Sequence, residues 1–370
     1  MSHASIKAAP SVARENEWSI ELLRGLAALM VVYAHYHGLA GIDANLSLLT
    51  FTGVDLFFVI SGFVFAPYFF GKSLSVGPFF IRRFFRIYPL YVVGVCAYIA
   101  IQLWQGGPTP YVLEHLLFLH TMKSPEVAFF YNPAFWSLPP EIEFYLMLPL
   151  LALFIRRART LFIVVAIALV MRAIIAYLSP TDGSITPWFV LGVHLPGLLI
   201  EFLIGALAWM VVSRSPGQAL RVIMLLSGAL LWLALAWVFS QLRDPGVLAH
   251  PVLRGNLGLF AALAYGLMLC GFVGLFKSPA RWTLILATVM GNLSYGIYLF
   301  HNAMPRLLGG LSSSMNGALF ALLCLLATLL VAWLAHIVIE SPARNFGRQW
   351  SRRLTERGLM AANSAIPPQR

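Results

Sequence analysis

Apolar residues in this chain come in long unbroken runs, not in the two-residue alternation of a half-buried strand. Ten runs can be marked, at roughly residues 18–38, 47–70, 86–104, 136–155, 161–179, 187–212, 221–241, 252–276, 283–308 and 317–340. As a helix rising about 1.5 Å per residue, each is long enough to cross a hydrocarbon core about 30 Å thick. Backbone polar groups in lipid must be satisfied within their own segment, which a helix does. The pattern predicts an all-α fold, a polytopic transmembrane helical bundle of about ten spans over residues 18–344. A polar segment, residues 1–17, precedes it and a basic tail, residues 345–370, follows.

Composition sharpens this picture. Hydrophobic residues make up 60% of the chain and charged ones 11%, against about a quarter charged in a soluble domain, so the excess apolar surface needs membrane lipid around it. A net charge of +11 raises the question of nucleic acid, but the basic residues sit in short clusters between apolar runs and form no single basic face, so no nucleic-acid partner is expected. They fit orientation instead, because Lys and Arg concentrate in cytoplasmic loops. Alternate connections hold Lys72, Arg82, Arg83 and Arg86, then Arg156, Arg157 and Arg159, then Arg214 and Arg221, then Lys277 and Arg281, and the tail adds Arg344, Arg348, Arg352, Arg353 and Arg357. The opposite connections hold Lys123, Arg243 and Arg254. Both termini are therefore expected in the cytoplasm, which requires an even number of spans.

The first apolar run follows Lys7 and Arg14 but shows no cleavage signature, so it reads as the first helix and not as a signal peptide. Cys96, Cys270 and Cys324 all fall inside apolar runs and read as packing residues, with no metal or disulfide framework. The longest outer connection, residues 105–135, holds four prolines around YVLEHLLFLH and is expected to lie at the membrane surface or to re-enter slightly.

Ionisable groups inside a span are costly and mark function by default. Arg24 and His35 in the first run are eleven residues apart, which is three helical turns with a drift of about 20°, so both line one face. Taken singly, Arg24 also reads as a snorkelling anchor and His35 as a packed histidine. In the second run, Asp55 and Ser61 interrupt FTGVDLFFVISGFVF. Asp55 can orient His35, or can simply hydrogen-bond between helices. Arg83 and Arg86 stand three apart near the third run, a fork suited to phosphate, although topological charge explains them too. In NPAFWSLPPEIEFYLMLP, Glu141 and Glu143 follow Trp136, and their spacing of two puts them on different helix faces, so at most one should share a cavity with His35. Later runs add Arg172, His194, Glu201, Ser294, Tyr295, His301 and Arg306, most of which read equally as interhelical bonding or snorkelling groups.

The pieces LRGLAALMVVYAHY, GVDLFFVISGF, RRFFRIYPLY, WSLPPEIEFYLMLP, IEFLIG, GNLSYGIYLFH and IESPAR occur in that order between about residues 18 and 344. Together they resemble the acyltransferase-3 family of bacterial membrane O-acyltransferases, which includes O-antigen and exopolysaccharide acetylases. The resemblance places the family's Arg-then-ten-then-His signature on Arg24 and His35, its Arg-x-x-Arg pair on Arg83 and Arg86, and its fourth-span glutamate on Glu141. Most relatives have a second acidic residue directly after that glutamate, where this chain has Ile142 and then Glu143. That departure puts a role for Glu143 in doubt.

The resemblance implies an acyl-CoA donor, usually acetyl-CoA, no metal, a carbohydrate or glycolipid acceptor and a bacterial inner (cytoplasmic) membrane. Some relatives carry an added esterase-like domain; none is visible here, which leaves direct transfer or completion by a separate partner. Arg82, Arg83 and Arg86, with Arg24, are expected to hold the CoA phosphates. His35 is expected to serve as general base or acyl relay, oriented by Asp55 or Glu141, with Ser61, Trp136, Tyr295 and His301 as acceptor contacts. The competing reading is a proton-coupled transporter or flippase, since buried Asp, Glu and His residues suit that task as well.

Overall fold

The computed structural model describes residues 17–42, 46–180, 186–250 and 252–364. The expected N-terminal cytoplasmic segment, apart from Glu17, lies outside the described residues. Among the described residues there is no strand. The long helices are α1 (Glu17–Tyr36), α2 (Gly53–Phe65), α3 (Val76–Trp104), α4 (Leu138–Phe154), α5 (Ala158–Leu178) and α6 (Leu195–Val212). They continue with α7 (Gln218–Ala249), α8 (Leu257–Phe272), α9 (Arg281–Phe300), α10 (Gly317–Ala335) and α11 (Ser341–Ser364).

Each apolar run of the sequence holds a helix, and 8 helical stretches among the described residues are long and apolar enough to cross a membrane by length and composition. α1 is not among these, because Glu21, Arg24 and His35 dilute its apolar character, and α8 is apolar but only 16 residues long. α3 begins at Val76, so Arg82, Arg83 and Arg86 sit on its first turns and not in a loop. At the other end a π-helical turn, His336–Glu340, joins α10 to α11, and the basic tail is helical through Ser364. α11 packs back on α3, where Phe85 meets Phe346 and Trp350.

α2 and α6 form the centre of the bundle, and their crossing explains how two such apolar helices come so close. A Cβ on Gly62 would collide with the backbone carbonyl of Phe202, and one on Gly205 with the backbone of Val59 and Phe63. Small residues that let backbones touch are how helices associate where no hydrophobic drive separates them from lipid. The outer helices invert the soluble pattern: Leu230 is 67% exposed on α7 and Leu330 56% exposed on α10. Apolar side chains turned outward at this level need lipid as their solvent.

The long connection after α3 folds into short helices anchored on the bundle, with much of its length exposed or half-buried. Pro125 and Pro133 open short helices, Pro125–Phe129 and Pro133–Ser137, whose free N–H groups are capped by Ser124 and Asn132 side chains at 3.2 Å and 3.0 Å. Tyr91 donates to the His115 carbonyl at 2.7 Å, and Asn132 Nδ2 donates to the Leu299 carbonyl at 3.0 Å. These bonds seat the connection on α3 and α9 and leave His115 and His120 fully buried, their rings stacked 4.5 Å apart.

Burial, and then the adjacent charge of His115, hold His120 down at about 4, and burial lowers His115 as well. An unfolded histidine titrates near 6.5, so between about 6.5 and 4 the unfolded chain binds more protons than the folded one. The contribution of this packing is therefore complete above pH 6.5 and lost as pH falls towards 4. The unfolding midpoint of the purified protein is expected to drop over that interval, with a loss of stability on the order of 3 kcal/mol at most from His120. His120→Gln should flatten the drop, and a midpoint that held steady in the parent protein would contradict this account.

Candidate active site

α1 brings its polar face to two adjoining cavities. Near the end of the bundle that carries the α3 arginines is a narrow cavity of about 70 Å³, lined by Arg24, Arg86, Ser61, Glu141, Tyr145 and Tyr295 among others. Arg24 is braced by Glu21 at 2.6 Å. Glu141 stands in the first turn of α4, where Ser61 donates to its Oε1 at 3.2 Å and the Tyr145 hydroxyl also donates to it. Tyr295 donates to the Ile87 carbonyl at 3.0 Å. Two guanidinium groups at one enclosed opening, with one carboxylate already engaged by hydroxyls, form a place for an anionic ligand.

The three arginines of α3 separate. Arg86 lines the inner cavity. Arg83 lies over the rings of Phe65, Tyr145 and Phe79 at 5.1, 5.8 and 5.9 Å, a cation–π setting that holds Tyr145 beside Glu141. Arg82 points away and donates to Ser351 of α11 at 3.3 Å.

Further along α1, His35 opens on a second cavity of about 520 Å³, together with Asp55, Trp136, Arg172, Glu201 and Tyr298. His35 is exposed to it, and its Nδ1 donates to the Val31 carbonyl at 2.8 Å. A carbonyl can only accept, so the hydrogen sits on Nδ1 and Nε2 keeps its lone pair. That is the tautomer a general base requires. His301 packs its ring 4.9 Å from that of His35 but is itself fully buried, with Nδ1 directed at the Tyr298 carbonyl at 2.9 Å.

Asp55 shares the cavity with His35, and its carboxylate lies against Gly258 together with that of Glu201, which takes Arg172 Nη1 at 3.4 Å. Glu141 faces the inner cavity and Glu143 leaves both: its carboxylate takes His194 Nδ1 at 2.5 Å and the Leu195 N–H at 2.7 Å, fixing the start of α6. Of the other expected contacts, Ser61 and Tyr295 line the inner cavity, Trp136 the outer, and His301 neither.

Tyr298, absent from the sequence-based candidates, lines both cavities. Its hydroxyl donates to the Ala134 carbonyl at 2.5 Å and meets the Ser137 hydroxyl at 2.6 Å. Tyr145, also absent, lies four residues after Glu141, and that helical spacing was its available signal.

Residues 17–337 match the model of a family described as an acyltransferase domain. The chain is 28% identical to acyltransferase MdmB of Streptomyces mycarofaciens, covering 90% of this chain and 92% of that protein. It is 27% identical to nodulation protein 10 of Rhizobium leguminosarum bv. viciae, covering 76% and 81%. To the peptidoglycan O-acetyltransferase OatA of Listeria monocytogenes it is 24% identical, over 89% of this chain and 56% of that protein. No solved structure matches the chain.

Proposed function

The chain belongs to this acyltransferase-domain family, and from that premise we propose that it moves a short acyl group, acetyl above all, from acyl-CoA in the cytoplasm to a hydroxyl of a carbohydrate or glycolipid. The observation that supports this reading most is that one face of α1 puts Arg24 in the inner cavity and His35 in the outer one, with Tyr298 lining both. The end rich in arginine faces the cytoplasm of a bacterial inner membrane, as the distribution of Lys and Arg favours. Acyl-CoA is supplied on that side, and its phosphates are the anions that Arg24 and Arg86 receive. The peptidoglycan O-acetyltransferase among the relatives supports a carbohydrate acceptor.

In the reaction, the acceptor oxygen attacks the thioester carbonyl carbon while His35 Nε2 takes the hydroxyl proton. The carbon–sulfur bond breaks, and the proton passes from His35 to the departing thiolate, so that an ester and free CoA leave. The Nδ1–H bond to Val31 holds the ring in the tautomer that makes this step available. Glu141, held by Ser61 and Tyr145, shapes the inner wall where the thioester arrives.

CoA binding to the purified protein tests the donor site. Arg24→Ala and Arg86→Ala should each weaken CoA by about 1.5–3 kcal/mol, roughly ten- to a hundredfold, the range for a hydrogen bond to a charged group. Arg82→Ala, whose guanidinium faces Ser351, should leave it near the parent value. Equal affinity in all three variants would remove the inner cavity as the CoA site.

A further inference from the structure

If the donor enters by the inner cavity and His35 works from the outer one, as proposed above, the acyl group has to pass the layer of side chains between them. Tyr298 belongs to both walls. Phe57 lines the inner cavity and stands edge-on to Tyr298, with ring centroids 5.8 Å apart, and Tyr298 lines both cavities. Beside them Phe58 of the inner wall packs edge-on against Trp136 of the outer wall, at 6.4 Å.

We propose that Phe57 and Tyr298 form the selector for acyl length, admitting an acetyl-sized group to His35 and rejecting longer chains. Two features keep the selector narrow. Tyr298 is 4% exposed, and its hydroxyl is tied to Ala134 and Ser137, so its ring cannot swing aside without breaking both bonds. Phe57 rides on α2, whose backbone is locked against α6 where Gly62 and Gly205 meet the opposing chain. Neither backbone can retreat as a body, so the opening is what a turn of the Phe57 ring alone provides, and a packed interior does not yield continuously to added methylenes. A longer acyl chain therefore meets a ring fixed at its hydroxyl and a second ring packed edge-on against it.

Binding of acetyl-CoA and hexanoyl-CoA to the full-length protein in lipid nanodiscs tests the selector. The parent protein should bind hexanoyl-CoA about tenfold or more weakly than acetyl-CoA, in the range by which pockets discriminate added methylenes. Phe57→Ala should erase most of that ratio, and Tyr298→Phe, which keeps the ring but frees it from Ala134 and Ser137, should narrow it partly. Where Phe57→Ala does not fold, Phe57→Leu serves, with the same direction expected. A parent protein that binds both thioesters equally overturns the selector, as does an unchanged ratio in folded Phe57 variants that bind CoA normally. Loss of all CoA binding by the parent would instead sink the donor reading on which the selector rests, so the two failures are distinguishable.

Discussion

Replacement of His35 by alanine is expected to lower acyl transfer by about 10²- to 10⁴-fold, the range for a lost general base, with protein abundance and unfolding midpoint close to the parent values. The asymmetry follows from where the ring sits. His35 is exposed to the outer cavity, and its ring donates to the Val31 carbonyl one turn back in its own helix. Cutting the ring away leaves that helical carbonyl in its ladder and costs the edge contact with the His301 ring, so stability has little to lose. Chemistry loses the Nε2 lone pair that takes the acceptor proton. Transfer of label from acetyl-CoA to membrane glycans would read the effect, and added imidazole, small enough for a cavity of about 520 Å³, should restore part of it. Parent-like transfer by His35→Ala would take the histidine out of the reaction.

The alignment of Arg24 with His35 is legible in sequence because eleven residues close three turns whatever packs around them. The opposite faces of Glu141 and Glu143 follow from the same rule, and the structure sends one to the inner cavity and the other to the start of α6. What each group meets is a different question. Asp55 comes beside Glu201 because α2 and α6 cross at Gly62 and Gly205, a tertiary event that periodicity along either helix does not encode. Arg83 and Arg86 look like one fork in sequence, but three residues around a helix leave them flanking α4 differently, one on aromatic rings and one on the cavity. In the connection at residues 105–135 the prolines mark where short helices start, whereas the bonds to Tyr91 and Leu299 that anchor it on α3 and α9 are tertiary and leave no local signal. The bundle itself was legible run by run, since lipid imposes the same length and polarity on every span.

Arg172→Leu is expected to produce the largest loss of stability, about 3–5 kcal/mol, the cost of breaking a buried ion pair from one side. Arg172 is 6% exposed and Glu201 fully buried, and the guanidinium also donates to the Gly197 carbonyl at 2.6 Å. Without it, Asp55 and Glu201 face each other with no cation beside them, and the Gly197 carbonyl loses its donor. Both carboxylates lie close against Gly258, where an added Cβ would collide with Asp55 Oδ1 and crowd Glu201 Oε1. Removing the acidic partner as well should reverse much of the loss: Arg172→Leu with Glu201→Leu replaces a desolvated pair with apolar packing, which is often neutral or better. Unfolding midpoints of the parent, both single variants and the double variant complete a cycle whose coupling should be strongly favourable. Simple additivity would mean that the pair is not coupled. Because these residues join α5, α6 and α2 around the outer cavity, acylation should fall with Arg172→Leu while CoA affinity at the inner cavity persists. Loss of both together would show that the two cavities do not fold as separable walls of one passage.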